Sequence, residues 1–328
     1  VNAPAPSGGP AAEEFERLLA GMPPRHTREQ VAAEAGVSQE LARRIWRALG
    51  FAQLADDAVA FTDADVDALR RVRAMLDGGV LDEAGVIRLA RALGQTTARL
   101  AQWQAEILIG AVLPPEPAGT DLTALFDAAE GLLPDLQHVL VHVWRAQLAA
   151  AGARLLALPA SAEGGEEPAH TRVTLAVGFA DLVSFTRRAR ELDEHELADL
   201  VEGFESRASD IVAAHGARLV KTLGDEVLFT APTPVQAARI ALDLLDAGEL
   251  RVGLAYGAVL PIMGDVFGTT VNLAARLTAI ARPGTAVADA ALAEGLEGEP
   301  GIEVRTIRRR PARGLGVVQP HVLRRSPA

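Results

Sequence analysis

The stretch from Arg218 to Phe229, RLVKTLGDEVLF, limits what this chain can become more than any other. Apolar residues alternate on both sides of Gly224-Asp225, the pattern of two strands meeting at a tight turn, where glycine accepts positive φ and aspartate suits turn positions. The expectation is a β-hairpin. Asp225 would then sit at a sheet edge facing solvent, with Lys221 four residues earlier on the incoming strand. Gly-Asp turns are common, so the hairpin alone assigns no function.

The rest of the chain falls into two patterns on either side of a compositional break. With 328 residues there is material for two domains with separate cores. Residues 1–12, VNAPAPSGGPAA, lack the apolar bulk that would offset ordering and read as a disordered leader. Residues 13–157 carry helical periodicity. Phe15, Leu18 and Leu19 open it, Pro23-Pro24 close that first segment, and capped helices follow after Thr27, Ser38 and Thr62. Two long helical patterns complete the region, Asp82 to Ile109 and Leu122 to Ala157, the second interrupted near Pro134. They are apolar on more than one face and should pack on each other or on a partner chain.

Thr27 to Leu49 has the outline of a helix-turn-helix, with Arg43, Arg44 and Arg47 on its second helix. Acidic neighbours Glu29, Glu34, Glu40, Asp56 and Asp57 favour a helical pair inside a larger domain over a DNA reader. His138 and His142, one turn apart, lack a third ligand at metal-site spacing and read as a packed or interfacial pair that can titrate near neutral pH.

Residues 158–170, LPASAEGGEEPAH, form a linker, and beyond it strands alternate with helices. Strands are expected at Val173–Phe179, the hairpin, Leu250–Val259, Gly284–Val287, Ile302–Ile307 and Val317–Leu323, and helices at Asp193–Ala213, Pro234–Leu245 and Thr269–Ile280. Strand, helix, hairpin, helix, strand is the order of a ferredoxin-like α+β sheet with helices on one face, leaving the other free.

Composition narrows the chemistry. A net charge of -11 argues against a polyanionic main partner such as nucleic acid, and the absence of cysteine removes disulfides and thiolate chemistry. No apolar run reaches the ~18 residues of a membrane span, and no signal peptide is visible. The expectation is a soluble cytoplasmic protein.

Asp181, in GFADLVSFT, leaves the first strand just before a helical turn whose backbone N–H groups suit phosphate oxygens. Asp181 and Asp225 would form a carboxylate pair, which with phosphates completing the shell is the usual arrangement for Mg²⁺. In GDVFGTTVNLAARL, Asn272 and Arg276 lie four apart, on one face of a predicted helix. In RRRPARGLG, Arg313 precedes a glycine, and its planar guanidinium suits phosphates.

Together FADLVSFT, LVKTLGDEVLF, GDVFGTTVNLAAR and ARGLG resemble, in order and spacing, the signature blocks of the class III nucleotidyl cyclase catalytic domain, over residues 171–325. The resemblance implies Asp181 and Asp225 as ligands for two divalent cations, Mg²⁺ or Mn²⁺. It also implies Lys221 and Asp265 as readers of the base, Asn272 and Arg276 as transition-state residues, and ATP as substrate. Lys as donor and Asp as acceptor match the ring nitrogen and exocyclic amine of adenine, whereas guanine presents the reverse pair. Arg313 falls where the family usually has a phosphate-contacting Lys, a departure that leaves Arg309 or Arg310 as alternatives. Because the family builds its site between two catalytic domains and this chain has one, a homodimer with shared sites is implied.

The helical region, broadly similar to modules ahead of some bacterial cyclases, would regulate the enzyme in response to a small-molecule, lipid or proton effector. The alternatives are a GTP-using cyclase and a catalytically silent regulatory or DNA-binding protein. LGDEVLF also resembles the GGDEF hairpin of diguanylate cyclases. There, however, Leu223 stands in place of a glycine and the Asn272 to Arg276 block is foreign.

Overall fold

The computed structural model describes residues 21–51, 54–112, 122–157, 172–312 and 316–326, with Leu19 and Gly314. The expected leader, the start of the first helical segment, the linker and Arg313 lie outside the described residues. The chain divides into two compact units, Val1–Ala153 and Arg154–Ala328.

The first unit is helical. Thr27 caps α1 (Arg28–Ala35) with a full capping box to Gln30, and Gly36, at φ 67°, ends it. Ser38 caps α2 (Gln39–Leu49) and Thr62 caps α3 (Asp63–Asp77). Val31, Ile45, Trp46, Phe61 and Leu69 form the core between these helices and the start of α4 (Glu83–Val112). The arginines of α2 face carboxylates of the same unit: Arg43 bonds Glu40 at 2.9 Å and Arg44 bonds Glu83 at 3.1 Å.

The last helix here, α5, runs from Leu122 to Ala157 with Pro134 inside it, so the interruption expected there is absent. Proline removes one backbone hydrogen bond, and the flanking Leu and Ala, strong helix formers, carry the helix past it. His138 and His142 are exposed on α5 rather than packed. So are many large apolar side chains of the two long helices, among them Ile107 at 69%, Val139 at 61% and Trp144 at 58%. No helix among the described residues is long and apolar enough to cross a membrane.

The second unit is an α+β open sheet. Its elements run β1 (Val173–Leu182), α6 (Phe185–Glu191), α7 (Glu194–Ala214), β2 (Arg218–Thr222), β3 (Glu226–Ala231), α8 (Pro234–Ala247), β4 (Leu250–Ile262), β5 (Asp265–Phe267), α9 (Thr269–Ile280), β6 (Thr285–Ala288), α10 (Ala290–Glu294), β7 (Ile302–Thr306), β8 (Arg310–Ala312), β9 (Gly316–Val318) and β10 (His321–Arg325). The sheet order is β2-β3-β1-β4-β6-β10-β7, with β5 paired to β4 and a separate β8-β9 hairpin. Neighbours are antiparallel except β4 and β6. The expected hairpin is β2-β3, with Gly224 at φ 73° in its turn.

Helices cover both faces. Against one, α7 and α8 bury Phe204, Ile240 and Leu244 on Phe229, Val252 and Leu254. Gly178 makes room on that face, since a Cβ there would lie 2.1 Å from the Phe229 ring. The opposite face, expected to be free, carries α9 over β1 and β4. The reason is Gly253, where a Cβ would lie 2.1 Å from the Thr278 backbone nitrogen and 2.4 Å from the Ala274 carbonyl oxygen. Without a side chain, the strand admits helix backbone directly onto it. The single strand expected at Val317–Leu323 is two, because Pro320 has no N–H to continue a ladder.

Candidate active site

Antiparallel register builds the first half of the site. Asp181, at the end of β1, lies opposite Glu226 on β3 and opposite Arg251 on β4. The backbone of Leu182 donates to the Asp225 carbonyl at 2.8 Å, tying the hairpin turn to the end of β1. Asp181, Asp225, Glu226 and Arg251 therefore line one open cavity of about 290 Å³, with Ala275, Thr278 and Ala279 of α9 as its wall.

The cavity is charged and its side chains are partly buried. Arg251 donates to Asp181 through Nη2, and its Nε is buried without a partner among the described residues. Burial holds the Asp181 carboxyl above the ordinary carboxylate range, although the Arg251 hydrogen bond pulls it down. Burial first, then the charges of Asp181 and Asp225, push Glu226 up to about 7. Burial, reinforced by mutual charge, outweighs the Arg251 guanidinium at these carboxyls, and a divalent cation would add the further positive charge that favours their ionised form. Among the described residues no group of three or more His, Asp or Glu could hold a metal alone. Two carboxylates fit Mg²⁺ only when substrate oxygens complete the shell.

Glu226 leads to a stability prediction. Its folded pKa of about 7 lies above its ordinary 4.5, so across that interval the folded chain keeps a proton that the unfolded chain has lost. Metal-free protein should therefore lose stability as pH rises from 4.5 to about 7. Thermal unfolding in EDTA should show a smaller loss across that interval for Glu226→Gln than for the wild-type chain. Parallel curves would remove the proposed crowding of charge.

A second group is set by the β4-β5 hairpin. Met263 and Gly264 both take positive φ, 51° and 82°, as a two-residue turn with the right twist requires. Arg218 of β2 donates to the Gly264 carbonyl, which ties this turn to the neighbouring hairpin. Lys221 Nζ consequently meets Asp265 Oδ2 at 2.6 Å. Both side chains are about one-third exposed, 34% and 27%, so the pair adds at most ~1 kcal/mol to stability and serves mainly to fix both positions.

Asn272 and Arg276 stand one turn apart on α9, exposed, outside the carboxylate cavity and without side-chain hydrogen bonds to described residues. Thus one chain brings Asp181 to Asp225 and Lys221 to Asp265, while Asn272 and Arg276 line neither group, although Ala275 and Ala279 of the same helix wall the carboxylate cavity. Arg251 and Glu226 were not singled out from sequence. Arg251 had a signal, a lone charge inside the apolar strand LRVGLAYG.

Residues 167–324 match the family described as the adenylate and guanylate cyclase catalytic domain, and residues 16–151 match the adenylate cyclase regulatory domain. An adenylate cyclase of Streptomyces coelicolor is 46% identical over 98% of this chain and 91% of its own length. One from Streptomyces griseus is 44% identical over 98% and 90%, and one from Glutamicibacter nicotianae 39% identical over 94% and 81%. Among solved structures, the adenylyl cyclase CyaB from P. aeruginosa has a TM-score of 0.45 at 21% identity, over 48% of this chain and 97% of that one. The chain belongs to the class III adenylyl and guanylyl cyclase family and carries that family's N-terminal regulatory domain. It is accordingly an enzyme, a cyclase of the lyase type.

Proposed function

We propose that this enzyme converts ATP to cyclic AMP and pyrophosphate at two equivalent sites, each shared between two copies of the chain. The observation that carries the reading is the division of the residues within one chain. The carboxylates line a cavity, while Asn272 and Arg276 are exposed on α9, are not among the residues lining that cavity and make no side-chain hydrogen bond to a described residue. A second copy supplies what each half lacks.

Asp181 and Asp225 would hold the divalent cations, Mg²⁺ or Mn²⁺. When bound, these ions favour the alkoxide form of the ribose 3′-hydroxyl and offset charge on the phosphates. Lys221 and Asp265, already joined, accept adenine by donating to its ring nitrogen and accepting from its amine; guanine would leave both half-buried groups mismatched. Asn272 of the second copy holds the ribose so that its 3′-oxygen faces the α-phosphorus in line. A bond forms between that oxygen and the α-phosphorus as the bond to the pyrophosphate oxygen breaks. Arg276 offsets the charge that develops on the phosphoryl oxygens. Arg251, which lines the carboxylate cavity, is a donor to the triphosphate in addition to Arg313.

In the same reading residues 13–157 are the regulatory domain, residues 158–170 the linker and residues 171–328 the catalytic domain of a cytoplasmic signalling enzyme. The exposed apolar side chains of α4 and α5 support association of the regulatory domain with a partner chain or an apolar effector. The test is product identification after incubation with ATP or GTP and Mn²⁺ or Mg²⁺. Cyclic AMP from ATP is expected, and a chain that used only GTP would overturn the assignment of Lys221 and Asp265.

A further inference from the structure

Five arginines, Arg282, Arg305, Arg308, Arg310 and Arg324, line one cavity of about 450 Å³ in the second unit, and no acidic residue lines it. Strand alternation explains the gathering. Arg305 lies opposite Val322, and Arg324 is two residues further along β10, so these side chains project to one face. That is the face covered by α9, where Val287 and Val322 pack with Leu277 and Ala281. Arg282 follows α9 in a turn held by a 2.7 Å hydrogen bond from Thr285 Oγ1 to the Arg282 carbonyl. Arg308 arrives from the segment joining β7 to β8, and Arg310 from the start of β8.

None of the five guanidinium groups makes an ion pair or hydrogen bond with a described residue. Their neighbour Arg325 shows the contrast, since it points to the other face and is held there by Asp243 and Asp246. Glu303 lies opposite Arg324 in the register yet forms no ion pair with it. All five are exposed, so solvent screens their mutual repulsion, yet none is paired in a chain whose net charge of -11 leaves ample acid to pair them. Folding does not ask for this arrangement. Arginine is weakly hydrated and grips phosphate oxygens through two parallel N–H bonds, and several forks around one space suit a linked polyanion better than a single monoanion.

The cavity is not the carboxylate site. The two share no lining residue, and they flank the C-terminal part of α9, with Ala275, Thr278 and Ala279 on one and Ile280 on the other. We propose that the arginine cavity is a second, metal-independent binding site for a polyphosphate chain, that of inorganic pyrophosphate or of a nucleoside triphosphate.

Calorimetric titration of the full chain with pyrophosphate in EDTA tests this without turnover, so the result stands or falls apart from the cyclase reading. Saturable binding is expected. Arg305→Gln combined with Arg324→Gln should weaken it at least ~10-fold while leaving the thermal unfolding midpoint in place. Arg282→Gln, in a loop, gives the same reading should the double variant fail to fold. A non-cleavable ATP analogue that binds as tightly as pyrophosphate identifies the nucleotide as the source, and weaker binding identifies pyrophosphate itself; both support the site. Equal affinity for sulfate at matched ionic strength would overturn it. So would binding that survives the arginine variants and is lost in Arg251→Gln.

Discussion

An equal mixture of Asp181→Ala and Arg276→Ala chains is expected to recover about a quarter of wild-type activity, although each variant alone is nearly inactive. In the proposed mechanism Asp181→Ala removes a cation ligand from the carboxylate cavity. Arg276→Ala removes the proposed transition-state donor, a loss typically worth about 10² to 10³ in rate. If each site takes carboxylates from one chain and α9 from the other, half of the random pairs are mixed. Each mixed pair then has one site free of both substitutions. The measurement is cyclic AMP production before and after exchange, with exchange itself followed by differently tagged chains. Exchange without recovery would mean that Asn272 and Arg276 serve their own chain's carboxylates, contrary to the proposed sharing of sites.

The second large effect is expected at the base. Lys221 and Asp265 form a joined donor and acceptor at 2.6 Å, fixed from both sides by the β2-β3 and β4-β5 hairpins. Replacing them together, Lys221→Glu with Asp265→Cys, reverses the donor and acceptor character of the first position and removes the carboxylate acceptor from the second. Mismatching groups that read a base by hydrogen bonds can cost about 10⁴-fold in discrimination, so the preference for ATP over GTP should collapse by at least ~10²-fold. The readout is the ratio of kcat/KM for the two nucleotides. An unchanged ratio would remove these residues from base reading.

Sequence made local features visible and left long-range ones hidden. Period-two alternation located the β2-β3 hairpin, the strands expected at Val173–Phe179 and Leu250–Val259 fall within β1 and β4, and the bounds of α9 agree with those read from Thr269 to Ile280. Side-chain caps at Thr27 and Ser38 marked helix starts because they act within three residues. The covering of the second sheet face by α9 depends on Gly253 meeting Ala274 and Thr278, a contact that neither segment announces alone. Pro134 read as a break because its cost is local, whereas the helix around it is sustained along its whole length.

The chemistry followed the same division. Asp181 and Asp225 were legible because each sits where a strand gives way to a turn. Arg251 was not singled out because its role depends on lying beside Asp181, 70 residues earlier in the chain. The arginine cavity joins residues from 282 to 324, through a register that no motif displays.

Turnover by the full-length chain tests the central claim most directly. With ATP and Mn²⁺ it should yield cyclic AMP and pyrophosphate in equal amounts, and Asp225→Ala should abolish both. Hydrolysis to ADP and phosphate, product from GTP alone, or undiminished turnover by Asp225→Ala would contradict the account.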